Sequence, residues 1–218
     1  MTVGLGHGAS WGAIILLAAA AIGSLRGHRW AAGAHRAGAV LAVVATATLA
    51  WALATGDFTL RYVAETSERS SSWWFRLSGL WGAMAGSLLL WTSFIAVLGA
   101  ARRRAPDGVE RAVLAGIAAV FLAVDAVLAD PFERLAAPAL DGLGLTPILE
   151  HPAMLYHPPI LYLGLTSLAV PFAAVVAGSA TTAGLRRQLL ACWAVLTAGM
   201  VAGAHWAYVE LGWGGFWA

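Results

Sequence analysis

The segment EHPAMLYHPPILYLGL holds the residues of this sequence best suited to ligand chemistry. His151 and His157 stand six residues apart, and Pro158 and Pro159 directly follow the second histidine. A proline disfavours helical dihedrals in the preceding residue, and its own fixed φ suits the first position of a helix. We therefore expect His157 at the mouth of a helix that begins at Pro159, where a neutral imidazole can ligate a metal or a haem iron. A histidine hydrogen-bonded within a loop is the alternative, and His151 is predicted to be structural because the proline after it prevents a helical pairing.

A second candidate site is the C-terminal stretch WAYVELGWGGFWA, in which glycines alternate with large rings. Residues without side chains let the backbone approach a flat ligand, which the rings can then cover by stacking. The pattern indicates a shelf for a planar macrocycle, formed by Trp213, Gly214, Gly215 and Trp217. Glu210 would orient a tryptophan N–H beside this shelf or would be solvated. An aromatic belt at the membrane surface, followed by a tail, is the alternative.

Composition indicates that these candidate residues belong to a membrane protein. Of the 218 residues, 60% are hydrophobic and 11% are charged, far from the balance of a soluble domain. About 18 to 20 apolar residues cross the hydrocarbon core as a helix. We predict an all-α integral membrane protein, a single polytopic bundle of about six transmembrane helices over residues 1–218, with the first span retained rather than cleaved as a signal peptide. The predicted spans are Ala9 to Leu25, Ala37 to Ala54, Leu77 to Ala101, Ala112 to Ala129, Ile160 to Ala177 and Leu189 to Tyr208.

The loop charges orient the predicted bundle. Nine of the 13 basic residues lie in the loops after the first, third and fifth spans, and basic residues in short loops stay cytoplasmic. Both termini are therefore predicted to be periplasmic, and so are the two longer loops, 56–76 and 130–159. The candidate chemistry then lies on the exterior face of a bacterial cytoplasmic (inner) membrane, or within the membrane.

Several kinds of function are excluded by residue usage. The sequence has one cysteine, Cys192, so it has no thiol pair for redox exchange and no Cys-x-x-Cys-His motif for covalent haem. The net charge of +2 arises from separate loop clusters without interleaved exposed aromatics, which excludes nucleic-acid binding. No Ser-His-Asp or paired-carboxylate pattern is visible, and we assign no catalytic acid or nucleophile.

Two features fall inside predicted spans. Asp125 is near the exterior end of the fourth span, where a carboxyl faces a cavity, a partner or water. Its closeness to the interface lets it reach water, so the structural and functional readings of Asp125 both stay open. Gly82 and Gly86 form a Gly-x-x-x-Gly pattern in the third span, which we interpret as close helix packing rather than as a binding site.

Four segments, in their order and spacing, carry a family resemblance: LWGAMAGSLLLW, DGLGLTPILEHP, HPPILYLG and WAYVELGWGGFW. They resemble the haem-handling cytochrome c maturation family that includes CcmF and NrfE, over nearly the whole chain. In that family the histidine of His-Pro-Pro is a periplasmic axial ligand of haem iron, which implies this role for His157. The tryptophan-rich WWD segment receives the haem edge, which implies this role for Trp213 to Trp217. The resemblance thus implies haem as cofactor, and positioning of its vinyl groups against the thiols of an apocytochrome c.

The sequence also departs from the family pattern. Met84 and Ala85 stand where a pair ending in glutamate is usual, Asp130 replaces an asparagine, and His205 replaces an aromatic. The family continues beyond the WWD motif into further spans with more haem ligands, whereas this sequence ends inside the motif at Ala218. We expect an N-terminal fragment or a split-gene product that is not fully active alone. Its expected partners are membrane lipid, a haem chaperone, apocytochrome c, other maturation subunits and a missing C-terminal half. A transporter or export component and a non-catalytic scaffold of the assembly complex are the alternatives.

Overall fold

The computed structural model describes residues 2–102 and 108–210. Within them, a π-helical turn, Asp125–Ala129, extends α6, and Leu60 and Arg134 form an isolated β-bridge without any named strand. The all-α prediction is confirmed. The helices of the described residues are α1 (Thr2–Leu25), α2 (Ala31–Thr55), α3 (Arg61–Thr66), α4 (Trp73–Ser78), α5 (Met84–Ala100), α6 (Gly108–Val124), α7 (His157–Ser167), α8 (Ala169–Val176) and α9 (Thr182–Glu210).

The prediction of about six membrane spans is also confirmed. Among the described residues, 5 helical stretches are long and apolar enough to cross a membrane, and a bent pair of helices makes a sixth. The first span begins at Thr2 rather than at Ala9, and the last begins at Thr182 rather than at Leu189. The 5 stretches are Thr2–Leu25, Ala31–Thr55, Gly108–Ala129, Pro152–Val176 and Thr182–Glu210.

The third span is not the straight helix that hydropathy predicts from Leu77 to Ala101. The chain turns by 77° between the stretch that ends at Trp81 and the helix that begins at Met84. Ala83, between them, is extended, with φ −143° and ψ 172°. The short helix α4 therefore runs at a steep angle to α5, and the third span is a bent pair of helices.

Glycine packing closes this bend. The Tyr62 hydroxyl donates to the carbonyl of Gly79 at 2.9 Å. A Cβ added to Gly86 would lie 2.0 Å from the Leu80 carbonyl oxygen and 2.5 Å from the Tyr62 hydroxyl. The interpretation of the Gly82 and Gly86 pattern as close helix packing is wrong for Gly86 as regards its partner. Gly86 packs against the preceding bend and Tyr62 and not against a neighbouring transmembrane helix.

The bundle has a tightly packed part and a more open one. Alanines allow the first two helices to approach closely, and Ala13, Ala20, Ala42 and Ala45 are fully buried there. Helices α5 and α6 pack mainly against these two helices, α5 against α2 and α6 against α1. The pair α7 and α9 packs together at one side, and α9 has only three buried positions among its described residues, Cys192, Gly199 and Ala207. Most of the α9 surface therefore faces away from this chain.

Two loop segments, 56–72 and 130–151, lie at one end of the bundle and pair with each other. The Arg61 N–H donates to the Glu133 carbonyl at 2.9 Å, and the side chains of the same residues form an ion pair at 2.7 Å. Further along, the Leu143 N–H donates to the Ala64 carbonyl at 2.8 Å. The two longer loops therefore share one face, as predicted. The assignment of that face to the periplasm stays a prediction.

Candidate functional site

His157 is the first residue of α7 and follows a 3-10 turn, Pro152–Leu155. Pro158 lies in the first turn of α7. A backbone N–H at this position has no intrahelical acceptor, so the missing N–H of proline costs no hydrogen bond. The predicted place at a helix mouth is confirmed. The helix already includes His157 instead of beginning at Pro159, a shift of the kind that helix ends commonly show.

One ring nitrogen of His157 is bound to the helix α9. Its Nδ1 atom lies 2.8 Å from the carbonyl oxygen of Gly199. Because a carbonyl oxygen can only accept, Nδ1 carries the proton of the neutral ring, and Nε2 keeps its lone pair. Histidines that ligate metals are oriented in this way, by an acceptor on the other ring nitrogen. This geometry therefore leaves Nε2 as the ring nitrogen that is available to a ligand.

A slot on α9 receives the imidazole. It is formed by Gly199, Gly203 and Trp206, whose spacing of four and three residues puts them on one helix face. A Cβ added to Gly203 would lie 2.4 Å from the Cε1 atom of His157, so only glycine leaves room for the ring. The Trp206 indole stacks on the imidazole, with ring centroids 6.2 Å apart and an interplanar angle of 27°. The ring is thus fixed at one edge and covered on one face.

Close approach of α7 and α9 makes the slot possible. A Cβ added to Gly164 would lie 2.6 Å from the backbone of Leu196, and one added to Gly199 would lie 2.7 Å from the backbone of Leu161. Glycines four residues apart, here at 199 and 203, allow two helices in a membrane to pack at such distances. This second Gly-x-x-x-Gly pattern is visible in the sequence but was not predicted as a helix contact.

His151 has a structural role, as predicted. Its Nδ1 atom accepts a hydrogen bond from the Ala153 N–H at 3.1 Å and so caps the 3-10 turn before α7. The Trp81 indole N–H donates to the Met154 carbonyl at 2.7 Å and ties this turn to the bend of the third span. The start of α7, and with it His157, is therefore anchored from two sides.

The remaining predicted site residues are at or beyond the end of α9. Glu210 is the last residue of that helix and is exposed. Trp213, Gly214, Gly215 and Trp217 lie outside the described residues, so the macrocycle shelf stays a prediction. The helix that holds the imidazole nevertheless leads directly into that stretch of sequence.

Asp125 is fully buried, in the π-helical turn that ends the fourth span. Neither of its carboxyl oxygens has a hydrogen-bond partner among the described residues. The expectation that this carboxyl reaches water is wrong, because its exposed fraction is 0%. The turn is closed by the Asp130 N–H, which donates to the backbone carbonyl of Asp125 at 2.8 Å.

The candidate ligand at this site is a single oriented imidazole, His157. Among residues 2–102 and 108–210, no group of three or more His, Cys, Asp or Glu side chains lies close enough together to surround an ion. A haem iron needs only axial ligands from the protein, and one imidazole with a fixed tautomer meets that need on one face. The His157 site therefore fits the cofactor that the family resemblance implies.

Comparisons with known proteins show the family of this chain. A family described as "Cytochrome C assembly protein" matches residues 81–218. The cytochrome c-type biogenesis protein ccl1 of Rhodobacter capsulatus is 37% identical over 191 residues, which are 81% of this chain and 29% of that protein. The probable cytochrome c-type biogenesis protein NrfE of Escherichia coli is also 37% identical, over 81% of this chain and 35% of its own length.

A solved structure is similar as well. The cytochrome c haem lyase CcmF superposes with a TM-score of 0.74 at 34% identity, covering 100% of this chain and 37% of that one. This chain is a member of the cytochrome c assembly protein family. It spans about a third of the length of the relatives that it matches.

Proposed function

We propose that this chain forms the N-terminal part of a haem-handling membrane protein of cytochrome c maturation. His157 ligates the haem iron through Nε2, and Trp213, Gly214, Gly215 and Trp217 hold the edge of the macrocycle. The observation that carries the proposal is the hydrogen bond from His157 Nδ1 to the Gly199 carbonyl, 2.8 Å long. It supports the proposal because it selects the tautomer of the neutral ring that has its lone pair on Nε2, and gives that atom a fixed direction.

The residues of this chain act by position. Haem supplies the vinyl carbons that are to be joined to the cysteine thiols of an apocytochrome c. Gly199 sets the tautomer of His157, Gly203 leaves space for its ring, and Trp81 anchors the turn that precedes it. Glu210, at the end of α9, borders the stretch that receives the macrocycle edge. Orientation of this kind lowers a reaction barrier because the reacting groups meet already aligned.

The proposed place of action is the periplasmic face of the inner membrane, which the loop charges favour. The proposed partners are a haem chaperone, apocytochrome c and other maturation subunits. A transport function is not favoured, because the relatives carry names of cytochrome c biogenesis. A non-catalytic scaffold is the second candidate, and the observation that favours it is the exposed surface of α9, which has three buried positions among its described residues.

Haem titration of the purified chain in detergent tests the proposal. The readout is the shift of the Soret band in the native chain, in His157→Ala and in Trp213→Ala. His28→Ala is a matched control, because this histidine is exposed, lies between α1 and α2 and takes no part in the slot or in the turn before α7. Saturable binding that is lost in His157→Ala and kept in His28→Ala supports the haem site. Identical titrations of the native chain and His157→Ala contradict it and leave the scaffold function.

A further inference from the structure

An apolar groove runs between α2 and α5, at the end of the bundle opposite to the paired loops. Its volume is about 410 Å³, within the range of about 300–1,000 Å³ that is usual for ligand sites. Valines form its walls, among them Val40, Val43 and Val97, which are exposed on the outer surface of the bundle. Ala39 and Ala100 also line the groove, and because their side chains are small, the groove is deeper between the valines.

Contacts beside the groove keep it open. The ring nitrogen Nε2 of His35 lies 3.2 Å from the Ala96 carbonyl oxygen, so α2 and α5 are joined on their buried sides. A Cβ added to Gly99 would lie 2.7 Å from the Cε1 atom of His35, so the two backbones stay close at this level. When a ligand binds to a preformed site, little conformational entropy is lost, so the free-energy cost of ordering the site is small.

Arg36 lines the groove near the start of α2 and is itself exposed. It stands five residues after Ala31, the first residue of the helix, which is about 7.5 Å along the axis. At that depth a long arginine side chain reaches the headgroup layer while its stem stays against apolar surface. Among the described residues, Glu110 pairs with Arg102 at 2.7 Å, and Arg36 belongs to none of the ion pairs.

We infer that this groove binds an anionic phospholipid, with one acyl chain between α2 and α5 and the phosphate on Arg36. The apolar walls match a hydrocarbon chain. The guanidinium matches a phosphate whose negative charge is not neutralised by a cation in the same headgroup, which favours an anionic over a zwitterionic phospholipid. The loops at this end of the bundle carry most of the basic residues of the chain, which adds to the attraction. The inference does not depend on haem binding.

Native mass spectrometry of the purified full chain tests the inference, with dioleoyl phosphatidylglycerol and dioleoyl phosphatidylcholine as probes. We expect Arg36→Gln to weaken binding of phosphatidylglycerol about fivefold, because one arginine at a membrane surface contributes roughly that factor. Arg36→Lys should keep most of the preference. Arg29→Gln is the matched control, an exposed arginine at the same end that does not line the groove.

A second pair of variants tests the acyl-chain part of the site. Val43→Trp places a large side chain in the groove and should abolish binding of both lipids, whereas Val120→Trp changes an exposed valine of α6 outside it. Equal affinity of the native chain for the two lipids would overturn the inference. So would an Arg36→Gln variant that behaves like Arg29→Gln, or a Val43→Trp variant that binds lipid as the native chain does.

Discussion

The substitution Gly203→Ala tests the haem-ligand geometry without touching His157 itself. The added Cβ would lie 2.4 Å from the Cε1 atom of the imidazole, whereas two carbon atoms pack at about 3.5–4.0 Å. The ring must therefore move by about 1 Å, or the two helices must separate by a similar amount. Either movement stretches the 2.8 Å hydrogen bond from Nδ1 to Gly199 beyond the usual hydrogen-bond range.

The expected result is a loss of haem affinity. Removing the group that orients a metal-ligating histidine typically lowers affinity about 10- to 100-fold. Overpacking at a close helix contact should also lower the free energy of unfolding by about 1–3 kcal/mol. Haem affinity is measured by Soret titration in detergent, and stability by thermal unfolding of the same samples.

Gly33→Ala is the matched control for this substitution. Gly33 lies in a membrane-crossing helix as Gly203 does, but a Cβ there has nothing within 4 Å. We expect Gly33→Ala to bind haem and to unfold as the native chain does. If Gly203→Ala titrates like Gly33→Ala, then the slot on α9 does not control the ligand, and the assignment of Gly199 as its orienting group is wrong.

Three further predictions concern stability. Asp125→Asn should leave the thermal midpoint unchanged or raise it, because the carboxyl that it replaces is fully buried and has no hydrogen-bond partner among the described residues; a midpoint lowered by the equivalent of about 1 kcal/mol or more would show that the carboxyl has a partner. Gly86→Ala should cost about 1–3 kcal/mol in denaturant unfolding, since its Cβ meets a carbonyl oxygen, and an unchanged midpoint would refute the closed bend. Burial opposes ionisation of Asp57, but hydrogen bonds from two threonine hydroxyls outweigh it and lower its pKa below 3.8. Its stabilising effect is therefore complete above the unfolded pKa and is lost as the pH falls through the lower folded pKa, so Asp57→Asn should flatten the stability profile below about pH 4.

Local patterns predicted the helical bundle and the place of His157. Hydropathy over about 20 residues depends on composition alone, so the number of spans followed from the sequence. The dihedral preferences of Pro158 act on their immediate neighbour, which put His157 at a helix mouth. Both signals need no knowledge of the fold.

The sequence could not predict the contacts between distant segments. The acceptor for His157 is a backbone carbonyl 42 residues away, and a carbonyl carries no sequence signal. The bend at Ala83 lies within a continuous apolar run, and it depends on Tyr62 from another helix, which donates to Gly79. Hydropathy therefore predicts a straight helix for the third span. Asp125 was expected to reach water for a similar reason, because burial depends on packing that a one-dimensional pattern does not contain.

The bend of the third span has a consequence for the bilayer around the protein. Helix α5 has 17 residues, so at about 1.5 Å per residue it is about 26 Å long, shorter than a hydrocarbon core of about 30 Å. The adjacent lipid must become thinner, or the polar turn beside Tyr62 must sit at the depth of the acyl chains, shielded by protein. Hydrophobic mismatch is thus built into one side of the bundle. The stability of the protein in vesicles should then depend on acyl-chain length, with shorter chains fitting α5 better than longer ones.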